Sequence, residues 1–247
     1  NYHTDGVSSM AKRFGGVEKD RTNIYTLSSN LAAKMTEQFT TKLNLRYNRN
    51  DSQFDTPNHF SPRPNHDDPD PDNDSRQVNG RVSGEYAGMN GKWKQEIGLA
   101  YLTLNRSQIT EFFDSTILPF GGNNFGHQQY VSWREKLDWV HRVTLIPDHH
   151  FTFGMEAQSE HYKFNSSVPA LSLGELNVDN QAIFIDDQYN ITEYLFVNAG
   201  IRSDIHQSFG RQSTWKIAPG YTIPATGTRL KASFFQTADW MRNKGGA

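Results

Sequence analysis

Apolar and polar residues alternate along several stretches of this chain. In the segment from Phe39 to Asn48, odd positions carry mostly apolar side chains and even positions carry polar or charged ones. Because successive side chains of a β-strand point to opposite faces, this period of two predicts a strand with one apolar and one charged face. The alternation recurs and predicts about ten strands and no helix, at 25–33, 39–48, 78–86, 93–101, 131–143, 151–158, 181–190, 194–204, 214–223 and 228–235.

Three local features test this pattern. Glu135 falls on the apolar side of its segment, where a charge indicates a position near a rim. Phe184 and Ile185 compete for the apolar face, so the facing of residues 181–190 stays open. Asn90-Gly91 suits a type I′ hairpin turn, because both central residues of that turn need a positive φ.

The predicted connections alternate between short and long. Short ones lie at Thr36-Glu37, Asn90-Gly91, Pro147-Asp148, Ile191–Glu193 and Ala225–Gly227, and longer ones at Arg49–Arg76, Arg106–Gln128, Asn165–Asn180 and His206–Ser213. Outer-membrane barrels place tight turns at one end and long loops at the other. Strands of this length also suit a bilayer, which roughly 9–11 tilted residues cross. The pattern therefore predicts an all-β, antiparallel transmembrane β-barrel.

Aromatic and charged residues agree with that prediction. Large rings lie near the predicted strand ends, at Tyr47, Trp93, Tyr101, Trp133, Trp139 and Tyr221. Trp and Tyr favour the lipid–water boundary because they combine an apolar body with a hydrogen-bonding edge. The polar faces carry charges of both signs, which indicates an aqueous interior or one packed by a polar plug.

Composition narrows the function classes. The 247 residues carry a net charge of −2, which argues against a nucleic-acid binder. The chain has no Cys, which excludes disulfides, thiolate metal sites and a Cys nucleophile within it. Mean hydropathy is −0.73, but a barrel strand needs an apolar residue only at every second position. Gly121–Gly126 lacks the ending of a phosphate loop, and no Ser/His/Asp arrangement stands out. We therefore expect no enzyme.

Neither end of the chain shows regular patterning. Residues 1–5 contain no basic stretch followed by an apolar one, and no Met begins the chain. Alternation is lost after Phe235. We expect an internal piece of a longer protein, with a partial barrel at 1–235 and an unpatterned tail at 236–247.

Residues 181–192 contain the order aromatic-x-x-Asp-Gln-aromatic, and 195–204 contain Ala-Gly-x-Arg-x-Asp. Residues 214–216 and 227–233 follow as a further hairpin, and 5–8 with 18–20 precede the first predicted strand. In this order the segments resemble the barrel of TonB-dependent outer-membrane receptors, particularly the cobalamin-transporter-like branch. The resemblance implies about ten strands of a roughly 22-stranded barrel, here without its plug domain. Residues 234–240 depart from the family pattern.

The resemblance also implies a function and partners. Such receptors lie in the cell outer membrane, in contact with its lipid, and import a large scarce nutrient past a plug that the TonB energy-transducing complex rearranges. Cobalamin is the first expected ligand, and a ferric siderophore is the alternative. Two other classes stay open: a self-contained small outer-membrane barrel, such as a surface hydrolase, and a secreted soluble β-sandwich that binds glycans.

The loop 49–76 is rich in acidic residues and proline. A solvated acidic loop explains this composition, and so does a site for calcium, a hard cation that takes about six to eight oxygen ligands. The resemblance to cobalamin transporters implies acidic calcium ligands from two neighbouring outer loops. By position in the resembling segments, the candidates are Asp5, Glu18, Asp20, Asp55 and Asp74.

Overall fold

A computed structural model of the chain describes residues 2–8, 19–53, 72–114, 122–167 and 171–237. Twelve strands account for nearly all of them: β1 (Tyr2–Ser8), β2 (Lys19–Lys34), β3 (Phe39–Gln53), β4 (Asp72–Gly88), β5 (Trp93–Asp114), β6 (Gly122–Val143), β7 (His149–Ser166), β8 (Leu173–Asn190), β9 (Leu195–His206), β10 (Gly210–Thr222), β11 (Arg229–Lys231) and β12 (Phe234–Gln236). Within the described residues, no helix is long and apolar enough to cross a membrane.

The strands form one antiparallel sheet in the order of the sequence. Each strand from β1 to β11 pairs with the next, and β12 pairs with β10 beside β11. The all-β antiparallel prediction is confirmed, and the sheet described is open. The prediction of about ten strands was too low for two reasons. Residues 5–8, expected in an acidic loop, belong to β1, and the predicted strand 228–235 divides into β11 and β12.

The predicted alternation of short and long connections holds only in part, because several strands run further into the predicted loops. The expected loop 106–128 is largely strand, since β5 continues to Asp114 and β6 begins at Gly122. The connection after β9 is a turn at 207–209 only. The physical reason is that apolar and polar residues do not alternate regularly in the sequence of these hairpin arms, as at Phe112-Phe113. Backbone pairing holds them together, and they show no alternation for a sequence reading to detect.

The sheet has one apolar face and one polar face, which we call by those names. Large residues at the predicted outward positions are exposed, as at Leu27 (71%) and Leu99 (58%), and so is Ile183 (63%) on β8, whose facing the sequence left open. Among the described residues, Ala182 is the buried apolar side chain and no large side chain is fully buried. The apolar residues therefore form a surface, whereas a β-sandwich would pack them into a core.

The apolar surface crosses the sheet at a slant. On β3 it extends from Phe39 to Tyr47, whereas on β10 its large residues extend from Trp215 to Tyr221. Following the strand pairing, the β3 stretch lies nearer to the long connections than the β10 stretch. A level apolar band on tilted strands produces this displacement, and tilted strands are what barrel closure requires.

Two local predictions can be compared with the structure. Asn90 and Gly91 do take positive φ values of 56° and 83°, but Met89 does so too, at 51°. The connection is therefore longer than a two-residue turn. Glu135 lies on the apolar face, paired with Tyr101 and Ser159, one position beyond Leu137 toward the long connections. Trp133 is the next residue of β6 on the same face and lies in the row of Tyr47, so Glu135 lies one position inside the limit of the apolar surface, near the predicted rim.

Candidate functional site

The polar face carries an ion-pair network in the half of the sheet nearer the short turns. Its charges sit on β3 to β7, β9 and β10 at the positions that alternate with the apolar ones, with one acid from β8. The members are Lys42, Arg81, Glu85, Glu96, Lys136, Asp138, Glu156, Asp186, Arg202, Asp204 and Lys216.

Arg81 occupies the centre of the first part of the network. Its Nη2 donates to Asp138 Oδ2 at 2.8 Å and to Glu96 Oε1 at 3.1 Å. Asp138 is buried, so its charge depends on this partner. Gly98 makes room for the guanidinium, because a Cβ at that position would overlap the Arg81 side chain. The absence of a side chain at Gly98 on β5 thus leaves the space that the Arg81 guanidinium of β4 occupies.

Glu156 occupies the centre of the second part. It accepts from Lys136 Nζ at 3.0 Å and from Arg202 Nη2 at 2.8 Å. Arg202 also binds Asp204 and lies 5.8 Å from the centroid of the Phe184 ring. This contact answers the question that the sequence left open, because it places Phe184 on the polar face and Ile185 on the apolar one.

The network matches cations to anions across the sheet. Lys42 binds Glu85 at 2.8 Å, and Lys216 binds Asp186 at 2.8 Å. Charges this dense are costly in hydrocarbon, so this face requires water or a polar partner. Because cations and anions are paired, this part of the polar face is close to neutral.

Beside the network, toward the long connections, the polar face forms an open hollow of about 400 Å³. We call it the basic hollow. Its polar lining includes Asn30, Asn44, Asn79, Arg46, Arg134 and Lys136, and none of the described residues that line it is acidic. Arg46 donates to the Asn48 side chain at 3.2 Å, and Arg134 has Glu160 at 3.8 Å as its ion-pair partner.

A second hollow of about 420 Å³ adjoins it and shares Leu102 and Arg134. We call it the apolar hollow, since Leu176 and Val178 line it together with Tyr162. Neither hollow is predicted by the sequence pattern. The necessary signal was strand register, which places Arg46 opposite Ser28 and Asn79 and places Arg134 between Leu102 and Glu160.

On the apolar face near the short turns, rings surround His141. Trp93 donates its Nε1 hydrogen to His141 Nδ1 at 3.2 Å, and Phe153 stacks on the imidazole at 4.8 Å. Trp139 lies 4.7 Å away and Tyr86 contacts Trp93. Of the rings expected near strand ends, Trp93 and Trp139 thus form one cluster. Histidine was not part of that expectation.

Three of the five predicted calcium ligands, Asp5, Asp20 and Asp74, lie on described strands toward the end of the sheet with long connections. Glu18 and Asp55 lie outside the described residues, and the strands β1 and β2 carry Asp5 and Asp20. Among the described residues, no group of three or more side chains could hold a metal ion. Asp74 is described in full: its Oδ2 accepts from Arg49 at 2.9 Å and from Arg76 at 3.0 Å.

Asp74 lies on β4 beyond the apolar surface, on the side of the long connections. Its hydrogen bonds from Arg76 and Arg49 lower the pKa of the carboxyl below its ordinary value of 3.8. Burial raises the pKa of the neighbouring Asp72, and the Asp51 carboxylate adds to the effect. A cation at Asp74 would therefore compete with two arginines.

Comparison with known proteins supplies the family. A family described as TonB dependent receptor-like, beta-barrel matches residues 20–238. The vitamin B12 transporter BtuB of Photobacterium profundum is 28% identical over 120 residues, which cover 44% of this chain and 20% of that protein.

Solved structures share the fold. The siderophore receptor PirA from Acinetobacter baumannii has a TM-score of 0.64 at 13% identity and covers 91% of this chain. FpvA of P. aeruginosa bound to heterologous pyoverdines has 0.65 at 12% over 87%, and the RagAB peptide importer in its open-open state has 0.63 at 12% over 94%. The chain spans 33–35% of these structures.

Proposed function

The chain belongs to the TonB dependent receptor-like β-barrel family, and from this premise we propose that it forms part of an outer-membrane receptor that imports a large, scarce nutrient. The observation that carries the proposal is the division of one continuous sheet into an exposed apolar face and an ion-paired polar face. Such a sheet suits a wall between lipid and an aqueous interior. No bond chemistry is assigned to it.

Cobalamin is the ligand we propose first. The support is the sequence similarity to the vitamin B12 transporter, which covers 44% of this chain. A ferric siderophore is the second candidate, since siderophore receptors share the fold at 12–13% identity. Likeness at that level concerns architecture, so uptake measurements have to choose between the two ligands.

The proposal includes partners that other parts of the receptor would contact. A plug domain would pack against the polar face, and the TonB complex would act through that plug. Calcium at the long-connection end, with ligands among Asp5, Glu18, Asp20, Asp55 and Asp74, belongs to the cobalamin form of the proposal. Asp74 would then have to exchange its arginine partners for the ion.

Uptake in cells tests the proposal. The complete receptor is expressed in a host lacking its own cobalamin receptor, with and without TonB, and uptake of radiolabelled cyanocobalamin is measured. We expect TonB-dependent uptake that falls when calcium is chelated. Growth on a ferric siderophore without cobalamin uptake would select the second ligand. Fractionation of the receptor away from the outer membrane, or uptake of both ligands unchanged without TonB, would contradict the proposal.

A further inference from the structure

We propose that the basic hollow binds the anionic part of the imported ligand, a group that presents two or more carboxylate or phosphate oxygens. This inference rests on the proposed import function and adds the chemical class of the ligand. It depends on three observations: the charge of the lining, the spacing of two arginines, and the adjoining apolar hollow.

The first observation is an excess of positive charge. The lining includes Arg46, Arg134 and Lys136 and, among the described residues, contains no acid. Lys136 has Glu156 as its partner in the ion-pair network, whereas Arg134 reaches Glu160 only at 3.8 Å with both side chains about half exposed. An exposed pair at that distance contributes little free energy, so an anionic ligand can displace Glu160 from Arg134. Arg46 donates to the neutral Asn48 side chain and has no acidic partner in the part of the chain that the structure describes.

The second observation is the row that the strand pairing builds. Arg46, Asn79, Leu102 and Arg134 face one another in sequence across β3, β4, β5 and β6. The two arginines are thus three strand spacings apart, about 14 Å between backbones. Two shorter side chains lie between them. The long side chains of Arg46 and Arg134 therefore border a gap, and an anionic group in that gap would have one arginine on each side.

The third observation is the chemistry around that gap. The guanidinium groups present several N–H donors in a plane, which suits carboxylate and phosphate oxygens. Asn44 and Asn79 add neutral amides that donate without adding charge. Because the apolar hollow shares Leu102 and Arg134, a ligand held by its anionic end would lay an apolar portion against Leu176 and Val178.

An acidic surface elsewhere in the receptor is the competing occupant of the same arginines. Contact with another part of the receptor does not require cations without close acidic partners, since the ion-pair network already offers a polar surface for such contact. Arg46 and the weakly paired Arg134 lie in the basic hollow, in the half of the polar face nearer the long connections, where a ligand would arrive from outside. Charge and location together favour a small anionic ligand.

Citrate is a suitable probe because it carries three carboxylates. Its affinity for the complete, detergent-purified receptor is measured by calorimetry at low ionic strength, where charge–charge attraction is least screened. The test variant is Arg46→Gln with Arg134→Gln. The matched control is Arg211→Gln with Arg229→Gln, which removes the same charge at two positions outside the basic hollow. Both target arginines are exposed, and folding is checked by heat-dependent gel migration.

We expect citrate binding by the original receptor, a rise in Kd of about tenfold or more in the test variant, and a change below about twofold in the control, since each lost charge-assisted contact is worth about tenfold. Lysine at both positions should retain part of the affinity. No citrate binding, or equal binding by all variants, would overturn the inference. So would a lowered thermal stability of the test variant with unchanged citrate affinity, because the arginines would then serve another part of the receptor. TonB-dependent uptake by the original receptor, measured in parallel, would still stand if only the inference fails.

Discussion

The ion-pair network and the basic hollow lie side by side on one face of the same sheet, and arginine has a different setting in each. In the network, Arg81 is held by two acids at 2.8 and 3.1 Å, one of them buried. In the hollow, Arg134 has one exposed partner at 3.8 Å. Residue type and facing are the same in both. Arg134 has an acid, Glu160, directly opposite it on β7, whereas Arg81 reaches its two acids diagonally. The distance to the acid and the burial of the acid therefore decide whether the cation is held in the fold or stays available to a ligand.

The first prediction compares these two arginines directly. Arg81→Met should destabilise the complete receptor by about 3–5 kcal/mol, because Asp138 would stay buried without its cation. Arg134→Met should change stability by about 0–1 kcal/mol, as is usual for an exposed pair. The temperature at which the folded barrel loses its characteristic gel migration measures both. Equal losses would mean that the two regions do not differ as described.

The second prediction concerns the faces on which the comparison depends. Leu43→Arg should cost about 2–4 kcal/mol, since a charge on the lipid side of a barrel is expensive near the middle of the bilayer. Asn44→Arg, the adjacent residue on the polar face, is the matched control and should cost far less. Outer-membrane yield and gel migration report both variants. A larger defect for Asn44→Arg than for Leu43→Arg would mean that Asn44, and not Leu43, faces lipid.

The third prediction asks whether the ion-pair network depends on the space that Gly98 leaves beside Arg81. Gly98→Ala should destabilise the receptor by about 1–3 kcal/mol, because the new methyl group would displace the Arg81 guanidinium. Gly174→Ala is the control, since a Cβ there would meet nothing within 4 Å. The same melting experiment applies. A neutral Gly98→Ala would show that Arg81 has room to move without loss.

The smallest predicted effect concerns the ion pair of Asp74 and Arg49, which lies outside both the ion-pair network and the basic hollow. Asp74→Asn should cost less than about 1 kcal/mol, since the Asp74–Arg49 pair is partly exposed. The lowered pKa of Asp74 means that its stabilisation is full above its ordinary value of 3.8 and disappears as pH falls through the lower folded value. The stability difference between the two proteins should therefore be constant from pH 7 to about 5 and shrink only below about pH 4. A difference already lost at about pH 5 would contradict the pairing.

Much of the fold was readable from the sequence because the alternation reports which face each residue occupies. Leu43 and Lys42 fall on the predicted faces, and the short turns fall at one end. Where apolar and polar residues stop alternating, the signal vanishes, which is why the sequence predicts a loop from Arg106 although β5 continues to Asp114. Phe184 could not be placed either, since its position depends on Arg202 from the next strand.

The candidate site was less readable for a related reason. The sequence supplied the charges of the polar face, but a charge becomes paired or available only through its neighbours on other strands. Asp138 is separated from Arg81 by 57 positions along the chain, and register alone brings them together. The calcium expectation came from resemblance alone. It stays a prediction, carried by Asp74 and by residues whose side chains the structure does not describe.

Labelling of single cysteines tests the central claim, that the apolar face of the sheet meets lipid and the polar face meets water, most directly. The chain has no Cys, so each introduced thiol in it is unique. Cysteines replace Leu43, Leu99 and Leu137 on the apolar face, and Asn44 and Gln158 on the polar face, in the complete receptor within membranes. We expect a membrane-impermeant, water-soluble maleimide to label the second set and a lipid-dissolved quencher to reach the first. Burial of the three leucine positions in a particle that stays monomeric without detergent would contradict the account.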